Sequence, residues 1–134
     1  MQCVGKSDMM SKTVMIVDDE ESIRSLCALE LAEEGYNVIT TGVCQEVPEL
    51  IASTQPSAIV LDIRIDDCDG LELLKEIKAI HPDLPIILYT AYDSYREDDK
   101  SVAADYYVVK SFNLSELKEK LAQVIRRLVE DDVD

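Results

Sequence analysis

Basic residues are scarce in this chain. Thirteen Lys and Arg face 28 Asp and Glu among its 134 residues, a net charge of −15, which repels nucleic acid phosphates and anionic membrane surfaces at long range. Direct nucleic acid binding is therefore not expected; partners with basic faces, or divalent cations, suit the chain better. Long hydrophobic runs are missing too. The longest apolar segments are strand-sized and Met1 to Lys12 holds no hydrophobic signal core, so no membrane insertion and no secretion signal is expected, and the sequence reads as cytoplasmic. Cysteine occurs four times, as Cys3, Cys27, Cys44 and Cys68, but never as Cys-x-x-Cys. That excludes the common zinc and thioredoxin-like spacings and leads us to expect free thiols in a reducing compartment. The one histidine, His81, precedes Pro82 in a turn with no metal-ligating or catalytic companion nearby in sequence.

What is present is a series of short apolar runs, several ending on a polar or charged side chain. Hydrophobic residues make up 47% of the sequence, enough for one domain with a sizeable core and too short a chain for two of ordinary size. Residues 1–12 read as a flexible leader, 13–129 as the domain and 130–134 as a frayed acidic tail. Thr13 to Val17 stops on Asp18 and Asp19, and Ser57 to Leu61 stops on Asp62. Continuous rather than alternating apolar runs suit central strands of a parallel sheet covered on both faces, although a buried helical turn has the same pattern. Tyr36 to Thr41, Ile86 to Thr90 and Tyr106 to Val109 supply three further strands.

Between them lie helical patterns. Ile23, Leu26, Cys27 and Leu31 recur at helical spacing before Gly35, which supplies a left-handed stop. Pro48, Leu50 and Ile51 mark a short helix, and Leu73, Leu74, Ile77 and Ile80 share a face of the next. Asp93 to Lys100 is mostly charged with Tyr95 its one large apolar residue, so only a short, mobile helix is expected there. Asn113 with Glu116 has the spacing of a capping box, followed by a stripe of Leu117, Leu121, Val124, Ile125 and Leu128. Five strands alternating with five helical segments predict a flavodoxin-like, doubly wound (βα)5 α/β sandwich with parallel sheet order 2-1-3-4-5. In that order strands one and three are neighbours at the switch point, and Asp18, Asp19 and Asp62 converge at their carboxyl ends.

Three clustered carboxylates repel one another, and a hard divalent cation holds them ionised. Mg²⁺ takes oxygen ligands, often one or two carboxylates, and then phosphate oxygens. Such a site lets an anionic phosphodonor approach Asp62, whose oxygen can act as nucleophile. Thr90 and Lys110, at the ends of strands four and five, are of the right type and in the right layer to meet the remaining negative charge.

With these residues in order, Thr13 to Leu128 resembles the receiver domain of two-component response regulators. The marks are Asp18-Asp19, Asp62, Asp69-Gly70, Thr90-Ala91, and Lys110 before Phe112. Each is weak alone, and the ordered set is specific. The resemblance implies a signalling phosphoacceptor rather than an enzyme with a separate substrate: Asp62 accepts a phosphoryl group from a histidine kinase or phosphotransfer protein. It implies that Asp19, Asp62 and the Arg64 carbonyl bind Mg²⁺, with Asp18 contributing directly or through water. Thr90 and Lys110 contact the phosphoryl group, Tyr107 is a switch aromatic coupled to Thr90, and Arg64 and Tyr92 flank the approach of hydrolytic water. A change of surface is then read by a downstream protein that the sequence does not name. As no output domain follows Leu128 in this sequence, the chain is expected to act alone.

Departures from the pattern fall outside the acidic site. Asp66 and Ser111 stand where the family usually has proline, Ala103 where glycine is common, and the segment between Thr90 and Lys110 is slightly short. Plainer readings exist for each residue: Asp18 or Asp19 as a helix cap, Lys110 as a solvated strand-end lysine, Thr90 as a turn hydroxyl, Tyr107 as a packed strand aromatic, and Asp66, Asp67 and Asp69 as a solvated loop. None explains the set. An EF-hand fails because Arg64 occupies its third position and Asp67 the place of its glycine. A flavin-binding protein needs a phosphate cradle where this chain has Asp18-Asp19-Glu20-Glu21. A receiver-like module that binds partners without phosphorylation is the alternative the sequence leaves open.

Overall fold

The computed structural model describes residues 12–66 and 68–133. The leader up to Ser11, Asp67 and Asp134 lie outside the described residues, as do the side chains of Asp99, Lys100 and residues 128–133, Leu128 of the predicted stripe among them. Strands β1 (Thr13–Val17), β2 (Asn37–Thr41), β3 (Ala58–Leu61), β6 (Ile86–Thr90) and β7 (Tyr106–Val109) form one parallel sheet in the order β2-β1-β3-β6-β7. Counted within the sheet, this is the expected order 2-1-3-4-5. The strands β4 (Arg64–Ile65) and β5 (Cys68–Asp69) form a small antiparallel hairpin beyond β3 that the sequence reading did not include.

Alternation along each strand explains the continuous apolar runs, because successive side chains point to opposite faces. Val14, Ile16, Ala58, Val60, Ile87 and Val108 pack under α1 (Glu21–Glu33) and α4 (Ser115–Val133). Met15, Val17, Ile59, Leu61, Ile86 and Leu88 pack under α2 (Val47–Thr54) and α3 (Gly70–Ile80). Both faces are covered, as right-handed crossovers require. Gly35 ends α1 with φ of 102°, a conformation with little cost for glycine. Asn113 accepts the Ser115 N–H at 2.8 Å and so caps α4, which takes in residues 130–133 of the predicted tail.

Four expectations need correction. Leu26 and Ile80 fit their helical stripes but are 37% and 72% exposed and belong to neither core cluster. The fourth helical segment is short, as expected, but it lies at Asp99–Ala103 and is a 3-10 helix rather than an α-helix. Among its described residues Tyr95 and Ala104 are the partly buried hydrophobic contacts to the core, while Ser101 Oγ donates to the Tyr95 carbonyl at 2.7 Å and closes the turn. The cysteines are not all free, since Cys44 and Cys68 form a disulfide with Cα atoms 6.4 Å apart. Hairpin β4–β5 brings Cys68 to the turn after β2, a proximity that 24 residues of separation do not reveal. Cys27 is free and buried, its thiol pushed up to about 11 by that burial, and Cys3 lies outside the described residues.

Candidate functional site

Asp18 and Asp62 each follow a fully buried strand end. β1 and β3 are in register as Val17 with Leu61, so the residues one step further emerge side by side at the sheet's carboxyl edge. The Asp62 N–H donates to the Val17 carbonyl at 3.0 Å, which continues the ladder one step and fixes that carboxylate's height. Ligand oxygens of Asp18, Asp19 and Asp62 all lie within 4.8 Å of one another. Asp18 and Asp62 are almost wholly buried and Asp19 is half-buried.

Lys110 closes the cluster from the far side. Its ammonium sits 2.7 Å from Asp18 Oδ2 and 3.0 Å from Asp62 Oδ2, with Glu20 at 3.6 Å. The Lys110 N–H donates to the Thr90 carbonyl at 2.7 Å, so β6 and β7 together aim the side chain across the crest. Burial works against the ammonium, but its hydrogen bonds to Asp18 and Asp62 more than offset this and raise it above the usual lysine range. Burial also raises Asp18, with Lys110 and the Glu20 N–H pulling the other way. Asp19 is held below the usual carboxylate range, chiefly by the Asp66 N–H, 3.0 Å from its Oδ2.

Asp18, Asp19, Asp62 and Lys110 together keep two negative charges uncompensated among themselves. Three carboxylates with hard oxygen donors at an open rim fit one divalent cation such as Mg²⁺, and the absence of His or Cys from the cluster disfavours zinc. Arg64 lies in β4 with its side chain exposed, the guanidinium 5.1 Å from the centroid of Tyr92. Thr90 is fully buried at the end of β6 and its Oγ1 accepts the Tyr92 N–H at 3.4 Å.

Tyr107 is half-buried on β7, its hydroxyl donating to the Tyr92 carbonyl, with the Arg96 guanidinium 4.7 Å above its ring. Arg96 is itself paired to Asp93 at 2.8 Å. Phe112, in the loop after Lys110, is fully exposed. The Lys110-Ser111 bond is trans, like every described peptide bond, and Ser111 Oγ accepts the Asn113 N–H at 2.9 Å.

Three further residues shape the site, and two of them escape a reading of motifs. Arg24 donates from Nη1 to the Asp18 carbonyl at 2.7 Å and steadies the strand end. The Asp66 backbone, at the tip of the hairpin, orients Asp19 through an amide that every residue type carries. Gly70 packs so tightly under the site that a Cβ there would stand 2.2 Å from the Asp62 carbonyl oxygen. Only the last had a signal in the sequence, the Asp69-Gly70 pair, and Asp69 caps α3 by accepting the Leu71 N–H at 2.9 Å.

This sheet order, with a carboxylate cluster and a half-buried lysine at its carboxyl edge, defines a doubly wound α/β domain. The chain belongs to the response regulator receiver domain family, whose family model matches residues 14–122. It is similar to the response regulator MprA of Mycolicibacterium vanbaalenii, 35% identical over 125 residues, which cover 92% of this chain and 54% of that protein. The chain thus spans about half the length of the curated relatives it matches. Among solved structures it is similar to the response regulator TrrA of Thermotoga maritima in complex with Mg²⁺-BeF, with a TM-score of 0.82 and 45% identity over 85% of this chain and 99% of that one. TrrA is also seen in complex with the histidine kinase ThkA, where the TM-score is 0.80 at the same identity over 85% of this chain and 98% of TrrA. A CheY-like receiver domain from Methanospirillum hungatei is 28% identical over 90% of this chain and 98% of that one, with a TM-score of 0.82.

Proposed function

We propose that the domain takes a phosphoryl group from a phosphohistidine onto Asp62 and then presents an altered surface to a downstream protein. The observation that carries this reading is the Lys110 ammonium placed against both Asp62 and Asp18, with Asp19 beside them. An Asp62 carboxylate oxygen attacks phosphorus; the P–O bond forms as the P–N bond breaks, and the imidazole nitrogen keeps the electron pair. Asp18, Asp19, Asp62 and the Arg64 carbonyl would hold Mg²⁺, which when bound neutralises the carboxylates and attracts phosphoryl oxygens. Lys110 exchanges part of its pairing with Asp62 for the incoming phosphoryl oxygens, and the Thr90 hydroxyl donates to another. Tyr107 responds to the movement of Thr90 through their shared contact with Tyr92.

The partner that supplies the group is a histidine kinase or phosphotransfer protein, in keeping with the kinase complex of TrrA. The net charge of −15 favours protein partners over direct contact with nucleic acid. Among the described residues no helix is long and apolar enough to cross a membrane, and the proposed place of action is the cytoplasm. The test is to incubate the protein with an acyl phosphate with and without Mg²⁺. A phosphoprotein that is labile to base and blocked by a metal chelator is expected; equal labelling with the chelator, or none in either case, overturns the reading, and in the second case leaves a module that acts by binding alone.

A further inference from the structure

The Cys44–Cys68 bond ties the hairpin that orients Asp19 to a fixed part of the fold. Cys44 opens the turn after β2, and that turn is anchored: Thr41 is buried, its Oγ1 donates to Glu46 at 2.8 Å and accepts the Val43 N–H at 3.0 Å, and Val47 is in the core. Cys68 belongs to the hairpin, whose own ladder is two residue pairs, Arg64 with Asp69 and Ile65 with Cys68. So short a ladder does not fix the hairpin alone; Ile65 seats its base in the core and the disulfide ties Cys68 on its second strand. Its tip nevertheless carries the Asp66 amide that sits on Asp19. Both cysteines are half-buried and line an open cavity of about 460 Å³, so a thiol can reach them from solvent. Cys44 and Cys68 pack only against one of two large cores otherwise built from strand and helix side chains, so the domain is expected to stay folded when this bond opens.

We infer that Cys44 and Cys68 form a reversible thiol–disulfide site, opened by a dithiol reductant, that sets how firmly the hairpin holds Asp19. A thiolate of the reductant attacks one sulfur and forms a mixed disulfide while the other cysteine leaves as thiolate. The reductant's second thiol then closes on the first, so two electrons and two protons pass to the protein, which ends as a dithiol, and the reductant as a disulfide. The oxidised form is the one with Asp19 in place. Once the bond opens, the Asp66 amide leaves the carboxylate more often and Mg²⁺ affinity falls by roughly ten- to a hundredfold, the size of losing one hydrogen bond to a charged metal ligand. The Mg²⁺ part rests on the proposed function; the hairpin part does not.

The experiment uses the whole chain, oxidised or treated with dithiothreitol, at a temperature where both forms are folded. Alkylation after denaturation reports whether Cys44 and Cys68 are joined, amide exchange follows Asp66 against Leu88 in the central strand, and calorimetry gives Mg²⁺ affinity. Reduction is expected to speed exchange at Asp66 by roughly tenfold with Leu88 unchanged. The Cys44→Ser/Cys68→Ser variant should match the reduced form and ignore the reductant. Untreated protein whose Cys44 and Cys68 are already alkylatable overturns the inference, as does an opened bond that leaves Asp66 exchange unchanged. Faster Asp66 exchange with no Mg²⁺ bound in either form supports the hairpin control and overturns the proposed function instead.

Discussion

The ammonium of Lys110 stands 3.0 Å from Asp62 Oδ2 across 48 residues of sequence, and the same nitrogen stands 2.7 Å from Asp18. One internal cation thus occupies ground between two buried carboxylates. Lys110→Met leaves both without it, and breaking such a pair costs about 3 kcal/mol. The variant is expected to melt lower than the parent without divalent cations and to gain more than the parent when Mg²⁺ is added, because the competing ammonium is gone. Thermal melts with and without Mg²⁺ check this; an equal or smaller gain in the variant contradicts it.

Gly70→Ala places a methyl group 2.2 Å from the Asp62 carbonyl oxygen and 2.8 Å from the Ile63 Cα, both backbone atoms that cannot swing aside. The expected cost is about 1 to 3 kcal/mol, with slower phosphorylation because Asp62 itself is displaced. Denaturant unfolding and labelling rate measure the two effects, and a variant with the parent's stability sinks the packing argument.

Much of this was legible because burial on both sides of the sheet leaves a pattern. Val14 to Val17 and Ala58 to Leu61 are continuous apolar runs since each face has its own helices, and the central strands follow from that, whereas the edge strand Asn37–Thr41 was read from its β-branched residues. The carboxylate cluster followed from placing Asp18 and Asp62 one step past those runs. Leu26 and Ile80 show the limit of periodicity: spacing tells which residues share a face, not whether a neighbouring element covers it. The hairpin was illegible because strands of two residues have no period, and the Cys44–Cys68 bond was hidden with it. Arg24 bonds the backbone carbonyl of Asp18 and Asp66 acts through its own amide, contacts that no residue pattern records.

The pH dependence of stability should carry the mark of Asp18. Its carboxyl is raised above 3.8 in the folded protein, mainly by burial, so between 3.8 and that higher value the folded chain keeps a proton that the unfolded chain releases. Asp18 therefore favours the fold most below this window and progressively less as pH rises through it. Asp18→Asn, which does not titrate, is expected to gain on the parent over the same rise. Denaturation midpoints at successive pH values in the absence of metal test it; a difference that is flat or shrinks with rising pH contradicts the assignment.

Arg64 and Tyr92 meet each other beside the site, guanidinium to ring centroid 5.1 Å. Neither side chain is a carboxylate or amide that would orient a hydrolytic water, and by the family resemblance both are expected to flank its approach. The phosphorylated domain is expected to be long-lived, and Arg64→Asn with Tyr92→Glu to hydrolyse faster by roughly tenfold or more. Loss of label after removal of the donor measures this, and equal rates, or a slower double variant, refute the shielding.

The most direct test of the account is where the phosphoryl group goes. Mass spectrometry of the protein after treatment with an acyl phosphate and Mg²⁺ should show one added phosphoryl group, located by peptide fragmentation to Asp62 and absent from Asp62→Asn under the same conditions. Label on another residue, or an Asp62→Asn variant that gains the group as fast as the parent, would contradict the central claim.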